Sequence, residues 1–358
     1  MAVDTNGILL QRSGRLGHII LNRPKAINAL NDAMIRDITA ALREWETDDG
    51  VETVLITGAG ERGFCAGGDI VAIYKHMQAG ASKEIFWEDE YRMNSYISRY
   101  PKPIVPFMDG VVLGGGIGLS AHASHRVVTE RTMVGMPETR IGFIPDVGGC
   151  YLYSRAPGEL GTHLALTAGT GTGADAIMLG LTDYFVDSAD LPALAEALAE
   201  APADEAIARF ARQEVPASDL EKDRHWIDEC YQYDDAEQIL AALQSSSEPK
   251  AREAAVELAA KSPTSVKLTL EALRRARGMD TLEEVLDQDY RLGIRLLAAP
   301  DFAEGVRAQV IDKDRNPRWN PATLAAVERA TVESYFADLG EDELGLSPAT
   351  VPAGRTQA

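Results

Sequence analysis

Residues 103–120 read Pro-Ile-Val-Pro-Phe-Met-Asp-Gly-Val-Val-Leu-Gly-Gly-Gly-Ile-Gly-Leu-Ser, and this stretch decides the fold class. The apolar run 103–107 predicts a short strand, and Asp109-Gly110 predicts a turn. The glycines at 114–116 then lead into a predicted helix over 117–124. Glycines between a strand and a helix leave backbone N–H groups bare at the helix start, where an anion can bind.

The same alternation of strand and helix runs through the first two-thirds of the chain. Three further β-like runs lie at residues 17–21, 53–57 and 126–129. Between the first two, residues 31–46 repeat apolar side chains every three or four positions, which is typical of a helix with one buried stripe. These side chains are Met34, Ile38, Leu42 and Trp45. Strands alternating with helices predict an α/β fold built by right-handed crossovers.

Beyond about residue 215 the pattern becomes helical. Helices are predicted over residues 236–243, 251–260, 265–277 and 281–297. We therefore expect a core over residues 1–215, a helical C-terminal region over 216–340 and a loose tail over 341–358. The sequence leaves open whether the helical region covers the site or makes an interface, so a homo-oligomer formed through it is possible.

Composition excludes several classes of partner. The formal net charge of −20 repels nucleic acid and anionic lipid at long range, so we expect neither nucleic acid nor membrane as a partner. No apolar run approaches the ~20 residues that span a bilayer. The first residues have neither an export signal nor an Arg- and Ser-rich transit segment, and three cysteines do not form a disulfide framework. These features predict a cytoplasmic protein.

We also expect neither a cofactor nor a metal. Residues 58–63 match the dinucleotide pattern G-x-G-x-x-G, but they lead into another flexible segment instead of directly into a helix. His122 and His125 have no acidic partner nearby in sequence, which favours packed or solvated side chains over metal ligands. Cys65 has no evident histidine partner and is interpreted as a packed residue.

A second glycine loop, Gly67-Gly68-Asp69, precedes a predicted helix over 69–77. Taken alone it is a tight turn before a helix that Asp69 caps. Two such loops, each after a strand, could converge on one oxygen atom. That arrangement is an oxyanion hole, in which backbone N–H groups stabilise developing negative charge.

Two carboxylates, Glu138 and Asp146, follow the glycine loops. They stand eight residues apart, so only a turn can bring them together, and Phe143 and Ile144 between them indicate a partly apolar pocket that would raise a carboxylate pKa. The alternatives are a helix N-cap for Asp146, before a helix over 147–154, and first-turn charge for Glu138.

Together these segments resemble the crotonase (enoyl-CoA hydratase/isomerase) superfamily. The resemblance rests on the order and spacing of residues 21–30, 64–69, 114–116 and 137–138. Further segments are similar to the 3-hydroxyisobutyryl-CoA hydrolase branch: 88–94, 136–139, 144–149, 262–265, 302–314 and 317–321. The resemblance implies a crotonase-like spiral of repeated ββα units with a helical C-terminal region, and an acyl-CoA substrate.

Residue roles follow from the resemblance. It implies that the N–H groups of Gly68 and Gly115 hold the thioester oxygen, that Glu138 and Asp146 are the catalytic acids, and that Glu90 contacts substrate. The positions implied to bind CoA are Lys25, Ala26, Ala66, Gly68, Asp69 and Ile70. Arg23, Lys25 and Lys75 would supply the positive charge that the CoA phosphates need on so acidic a protein.

One departure bears on the reaction. Hydratases of the superfamily place a second glutamate shortly after the glycine triplet, where this chain has Gly118. The pattern with Asp146 favours hydrolysis of a short 3-hydroxyacyl-CoA, such as 3-hydroxyisobutyryl-CoA of valine degradation. Hydration or isomerisation of a short enoyl-CoA is the alternative, and a non-catalytic acyl-CoA binder is a third.

Overall fold

A computed structural model of the chain describes residues 3–78 and 84–347. Its strands are β1 (Val3–Thr5), β2 (Ile8–Ser13), β3 (Leu16–Leu21), β4 (Thr53–Gly58), β5 (Gly63–Cys65), β6 (Ile104–Met108), β7 (Val111–Leu113), β8 (Val127–Val128), β9 (Met133–Gly135), β10 (Thr170–Thr172) and β11 (Tyr184–Phe185).

The α-helices of the first half are α1 (Asp32–Glu46), α2 (Ile70–Gln78), α3 (Glu84–Ser98), α4 (Gly115–Ser120), α5 (Gly149–Tyr153), α6 (Leu160–Thr167), α7 (Gly173–Met178), α8 (Leu191–Glu200) and α9 (Ala203–Ala208). Those that follow are α10 (Asp219–Tyr231), α11 (Ala236–Ser245), α12 (Pro249–Ala259), α13 (Pro263–Ala276), α14 (Leu282–Ala298), α15 (Pro300–Val306) and α16 (Arg329–Tyr335). Short 3₁₀ helices lie at Pro24–Ala26, Glu138–Ile141, Ser188–Asp190, Leu324–Ala326 and Gly340–Asp342, and a π-helical turn at Arg307–Ile311.

The strands form two sheets that the chain visits in turn. One sheet has the order β1-β2-β3-β4-β6-β8-β11, and the other has the order β10-β9-β7-β5. Strands β4, β6 and β8 are parallel neighbours in the first sheet, while β5, β7 and β9 are parallel neighbours in the second. Each consecutive pair therefore spans both sheets. The predicted spiral of ββα units with a helical C-terminal region is confirmed.

The larger sheet is apolar on both faces. Along β4, Val54 and Ile56 belong to the main core, whereas Leu55 faces a second cluster that contains Leu194 and Leu198 of α8. Successive side chains of a strand point to opposite faces, so a run without polar residues predicts a strand covered on both sides. Among the described residues, none of the helices combines the length and the apolar character needed to cross a lipid bilayer.

The helix predicted over 31–46 is confirmed as α1. The Asn31 side chain caps it by accepting a hydrogen bond from the Met34 N–H at 2.9 Å, and all four residues of the predicted stripe are buried. The helix predicted over 117–124 is displaced, since α4 begins at Gly115 and ends at Ser120. Beyond Ser120 the chain leaves the helix, and the Ser124 hydroxyl accepts a hydrogen bond from the Ile104 N–H at 3.0 Å.

The helical C-terminal region packs directly onto the α/β core. Helix α14 contacts α3, α13 contacts α5, and α15 contacts the 3₁₀ helix Glu138–Ile141. One continuous apolar core includes side chains from both regions. The domain boundaries at residues 215 and 340 stay a prediction.

The first residues of the predicted loose tail are packed, which corrects that expectation for residues 341–347. Leu344 is buried in the core, and its carbonyl oxygen accepts a hydrogen bond from Arg92. The N–H groups of Leu346 and Ser347 donate to the Asp287 carboxylate. The rest of the predicted tail, residues 348–358, lies outside the described residues.

A substitution at Gly305 of α15 tests how tightly the C-terminal region packs against the 3₁₀ helix Glu138–Ile141. A Cβ atom there would lie 2.6 Å from the Ile141 Cα and would collide with the Ile141 carbonyl, both of them backbone atoms. We expect Gly305→Ala to lower the free energy of unfolding by about 1–3 kcal/mol, because overpacking outweighs the gain in helix propensity. Gly278→Ala, with 3.6 Å to its nearest neighbour, is the matched control in urea denaturation. Equal stability of the two variants would contradict this packing.

Candidate active site

A cavity of about 900 Å³ lies between the two glycine loops and the helical C-terminal region. It brings together seven of the ten residues that the sequence proposes for the site. These are Ala66, Gly68, Ile70, Glu90, Gly115, Glu138 and Asp146. Lys25, Ala26 and Asp69 do not line it. Residues up to 80 positions apart therefore converge on one space.

The two glycine loops lie against each other at the floor of the cavity. A Cβ atom at Gly115 would lie 3.4 Å from the Gly68 nitrogen, and a Cβ at Gly67 would lie 3.5 Å from the Gly115 nitrogen. Within residues 3–78 and 84–347, neither the Gly68 N–H nor the Gly115 N–H donates a hydrogen bond. Gly115 is the first residue of α4, so its N–H also lies at the positive end of that helix. These two amides can receive one developing oxyanion.

Glu138 begins a 3₁₀ helix after Pro137, and this turn points its carboxyl group at the glycine loops. A Cβ atom at Gly114 would lie 2.6 Å from Glu138 Oε1. The Glu138 side chain is buried, and its Oε2 has no hydrogen-bond partner among the described residues. First-turn charge alone does not explain this position, because a charge that merely complements a helix end is normally solvated.

Asp146 is not the helix cap that the sequence also allowed. Helix α5 begins at Gly149 with Gly148 as its N-cap and no side-chain capping bond, because Val147 and Gly148 adopt left-handed φ angles of 50° and 76°. The Asp146 carboxyl group instead turns into the cavity. There the buried Tyr91 hydroxyl donates to its Oδ2 at 2.7 Å.

Glu90 of α3 completes a group of three buried carboxyl groups. Its Oε1 has no hydrogen-bond partner among the described residues and would collide with a Cβ atom at Gly115. A buried carboxyl oxygen without a partner is costly, and this one faces a cavity that is large enough for a ligand.

The three carboxyl groups perturb one another. Burial raises the pKa of Glu138 and that of Glu90 well above the usual range, and the neighbouring charge of Asp146 adds to both shifts. Burial also raises the pKa of Asp146 to about 6, although hydrogen bonds from Tyr91 and Trp87 favour its ionised form. The pocket between the glycine loops is thus apolar enough to raise carboxyl pKa values, as Phe143 and Ile144 suggested.

The space beside Gly118, where hydratases of the superfamily carry a second glutamate, is filled by other side chains. A Cβ atom at Gly118 would lie 2.6 Å from the Val147 Cβ and 3.0 Å from the Asn94 Nδ2. A glutamate side chain therefore does not fit there while Val147 holds its place. Asp146 is the residue before Val147, and its carboxyl group lines the cavity.

Asp69 is occupied with structural contacts. Its side chain caps α2 through the Ala72 N–H at 3.1 Å and forms an ion pair with Arg23 at 2.6 Å. Lys25 lies in the 3₁₀ helix Pro24–Ala26, where Arg62 donates to its carbonyl oxygen at 2.7 Å. The structure thus places Arg23 in an ion pair instead of on the cavity wall.

Sequence reasoning missed the outer half of the cavity. It is lined by residues of the helical region and of the 3₁₀ helix after Glu138, among them Arg140, Lys261, Phe302, Gln309, Arg315, Asn316 and Trp319. Lys261 is buried and pairs with Glu257 at 2.7 Å. The segments 302–314 and 317–321 had signalled only a branch of the superfamily, because nothing in their spacing shows which face they present. The C-terminal region therefore covers the site.

The alternation of the chain between two sheets, with two bare amides facing three carboxyl groups, defines a crotonase-type site for a thioester. The chain belongs to the enoyl-CoA hydratase/isomerase family, whose sequence profile matches residues 16–336.

Relatives and solved structures carry two kinds of name. The chain is 42% identical over 353 residues to the mitochondrial 3-hydroxyisobutyryl-CoA hydrolase of Rattus norvegicus, covering 95% of this chain and 91% of that protein. It is 39% identical over 348 residues to the enzyme of the same name from Homo sapiens, covering 94% and 90%. A crystal structure of a carnitinyl-CoA dehydratase from Mycobacterium thermoresistibile is 49% identical with a TM-score of 0.91, covering 95% of this chain and 99% of that one.

The comparison corrects the prediction of a cytoplasmic location. The relatives from Rattus norvegicus, Danio rerio and Homo sapiens are all named as mitochondrial enzymes. The prediction was wrong because it rested on the first residues and on the number of cysteines, and neither reports where an enzyme of this family works.

Asp146 gives the site a measurable pH signature. Its pKa in the folded protein is about 6, above the ~3.9 of an unfolded aspartate, so its contribution to stability is complete below about pH 4 and is lost as the pH rises through about 6. We expect the free energy of unfolding of the native protein, relative to Asp146→Asn, to fall by about 1 kcal/mol from pH 5 to pH 8. Urea titrations at both pH values measure this difference. A pH dependence identical in the two proteins would contradict the burial of an ionisable group at position 146.

Proposed function

We propose that the chain is an acyl-CoA thioester hydrolase that releases CoA from 3-hydroxyisobutyryl-CoA, a step of valine degradation. The observation that carries this assignment is the space at Gly118, which the Val147 side chain fills, in a cavity that also holds the carboxyl group of Asp146. A hydratase that handles water with two glutamates has no room here for the second one. The names of the relatives from Rattus norvegicus and Homo sapiens support the same substrate.

The thioester carbonyl would lie with its oxygen between the N–H groups of Gly68 and Gly115. Negative charge on that oxygen grows towards the tetrahedral transition state, so donors fixed in advance stabilise the transition state more than the substrate. Removing one such donor commonly costs about 10²–10³ in rate. The glycines allow this approach, since a Cβ atom at Gly115 would collide with Glu90.

Glu138 is the group that acts on the carbonyl carbon. It either attacks that carbon to form a mixed anhydride or removes a proton from the attacking water. Both routes need an ionised carboxylate, and its burial leaves the carboxylate poorly solvated and reactive. Label from ¹⁸O water enters Glu138 only by the anhydride route, so a single turnover distinguishes the two.

Asp146 suits a proton-transfer role. A pKa of about 6 lies close to neutral pH, where a group can both accept and return a proton. In this role it orients the water and passes a proton to the departing thiolate of CoA. The hydrogen bond from the Tyr91 hydroxyl, 2.7 Å long, holds the carboxyl group in place.

Glu90 can accept a hydrogen bond from a 3-hydroxyl on the acyl group, which favours a 3-hydroxyacyl substrate. Its unpartnered Oε1 faces the loop of Gly115, where the acyl carbons next to the thioester would lie. Phe86, Trp87 and Phe143 form a wall of aromatic rings with centroids 5.2 and 5.8 Å apart, which fits a short branched acyl chain.

We propose that CoA is bound both by residues predicted from the sequence and by residues that the structure adds on the cavity wall. Lys25, Ala26, Ala66, Asp69 and Ile70 remain the positions that we propose along the pantetheine and nucleotide. Arg140 and Arg315 on the cavity wall would add positive charge for the phosphates, whereas Lys261 beside them is paired with Glu257. The homo-oligomer through the helical region stays a prediction.

The second candidate is hydration or dehydration of a short enoyl-CoA. It is favoured by the names of two solved structures, the carnitinyl-CoA dehydratase from Mycobacterium thermoresistibile and an enoyl-CoA hydratase from Rhodobacter sphaeroides. The latter is 41% identical with a TM-score of 0.89, covering 95% of this chain and 99% of that one. Both reactions stabilise an oxyanion on a thioester, so they differ in the acid and base groups and not in the fold.

A panel of thioesters tests the function. With a thiol-reactive dye, we expect rapid release of CoA from 3-hydroxyisobutyryl-CoA. For isobutyryl-CoA we expect kcat/KM to be about 10²-fold lower, because the Glu90 carboxyl group then has no hydroxyl to pair with. The same acyl group on pantetheine should show a raised KM, since it lacks the phosphates.

Crotonyl-CoA provides the opposite readout in the same experiment. Loss of its conjugated absorbance without free thiol, at a rate exceeding thiol release from 3-hydroxyisobutyryl-CoA, would contradict the hydrolase assignment. Equal hydrolysis of isobutyryl-CoA and 3-hydroxyisobutyryl-CoA would contradict the role of Glu90 alone.

A further inference from the structure

A carboxylate of the helical C-terminal region reaches the loop that carries Asp146. Asp289 of α14 is completely buried, and its Oδ2 accepts a hydrogen bond from the Gly148 N–H at 2.9 Å. Its Oδ1 has no hydrogen-bond partner among the described residues. A buried carboxyl group with one oxygen unpaired is costly, so its presence needs a reason.

The loop that it holds is strained. Val147 has a φ of 50°, and a β-branched residue in the left-handed region persists only where the surroundings impose it. Two contacts impose it here. The His122 Nε2 lies 2.8 Å from the Val147 carbonyl oxygen, and the Asp289 carboxyl group binds the next N–H along the chain. The Val147 side chain in turn fills the space beside Gly118.

The same face of α14 also supports Asp146 from another direction. One turn after Asp289, Gly293 lets two groups approach the helix. A Cβ atom at Gly293 would lie 3.6 Å from the Tyr91 hydroxyl oxygen and 3.2 Å from the Phe143 ring. Because Tyr91 donates to Asp146 at 2.7 Å, α14 bounds both the loop after Asp146 and the residue that anchors its carboxyl group.

A neutral, protonated Asp289 explains how this carboxyl group can lie beside other buried acids. Burial raises the pKa of Asp289 well above the usual range, and the charge of Asp146 adds to that shift. A protonated carboxyl group keeps one oxygen as an acceptor for the Gly148 N–H. An asparagine side chain offers the same acceptor and a donor in the same plane, so it is a close substitute for the neutral acid.

We propose that Asp289 is a positioning residue that fixes the turn at Val147 and Gly148 and thereby aims the carboxyl group of Asp146 at the thioester. This inference rests on the proposed hydrolysis. Through Asp289 the helical region takes part in the geometry of the site, beyond covering it. A substitution far from the reacting atoms can displace a catalytic group slightly, and such a displacement can lower the rate by about 10²-fold.

The test compares three variants of the full chain in CoA release from 3-hydroxyisobutyryl-CoA. Asp289→Ala should lower kcat by about 10²-fold with KM changed by less than about threefold, because substrate contacts remain while Asp146 moves. Asp289→Asn should restore kcat to within about fivefold of the native value, since it keeps the acceptor for Gly148.

Asp287→Ala is the matched control. Asp287 lies on the same helix two positions before Asp289, so it points to nearly the opposite face. It is similarly buried and accepts hydrogen bonds from the N–H groups of Leu346 and Ser347. We expect it to lower the free energy of unfolding while kcat stays close to the native value.

Three outcomes would overturn the inference. They are a native kcat in Asp289→Ala, an Asp289→Asn protein that is folded but as slow as Asp289→Ala, and an equal loss of kcat in Asp287→Ala. Absence of CoA release by the native protein would instead refute the proposed function, so the two failures are distinguishable.

Discussion

Three carboxyl groups are buried in one cavity, where they face two bare backbone amides, and the surrounding fold has to hold them there. An ionised carboxylate loses several kcal/mol of solvation when it is buried, and three near one another also repel. The raised pKa values of Glu138, Glu90 and Asp146 express that cost. A core that is continuous from the sheets to the C-terminal helices holds them there.

This constraint also explains the glycine triplet. Gly115 leaves its N–H group bare, whereas the Gly114 N–H donates to the Gly135 carbonyl oxygen. Glycine is required at both positions because a Cβ atom would meet a carboxyl oxygen, Glu138 Oε1 at Gly114 and Glu90 Oε1 at Gly115. Gly115 thus supplies one oxyanion donor and, together with Gly114, leaves room for the acids. Gly118 serves a different purpose, since the Val147 side chain takes its space. One fold can support hydration or hydrolysis according to which side chain fills that position.

Much of the α/β core could be predicted from the sequence, because its signals are local. Hydrophobic periodicity predicted α1, and short apolar runs bounded by turn residues predicted β3, β4, β6 and β8. Glycine loops before helices indicated an oxyanion hole, and the resemblance assigned it to the amides of Gly68 and Gly115. The resemblance then supplied Glu90, which no local pattern distinguishes from other acidic residues of a helix.

What the sequence could not predict depends on contacts between distant segments. The left-handed turn at Val147 is held by His122, 25 positions before Val147, and by Asp289, 141 positions after Gly148, and no local pattern encodes either contact. The outer wall formed by Lys261 and Arg315 likewise requires α12 and the segment after α15 to be folded back over the core. The location of the enzyme is not encoded in its fold at all.

The most direct test of the account is the rate of CoA release by Glu138→Gln, measured with 3-hydroxyisobutyryl-CoA at saturating concentration. Glutamine keeps the shape of the side chain but can neither attack the carbonyl carbon nor accept a proton from water. We expect kcat to fall by about 10³-fold or more while urea denaturation shows an intact fold. A folded Glu138→Gln protein that releases CoA at nearly the native rate would contradict the account.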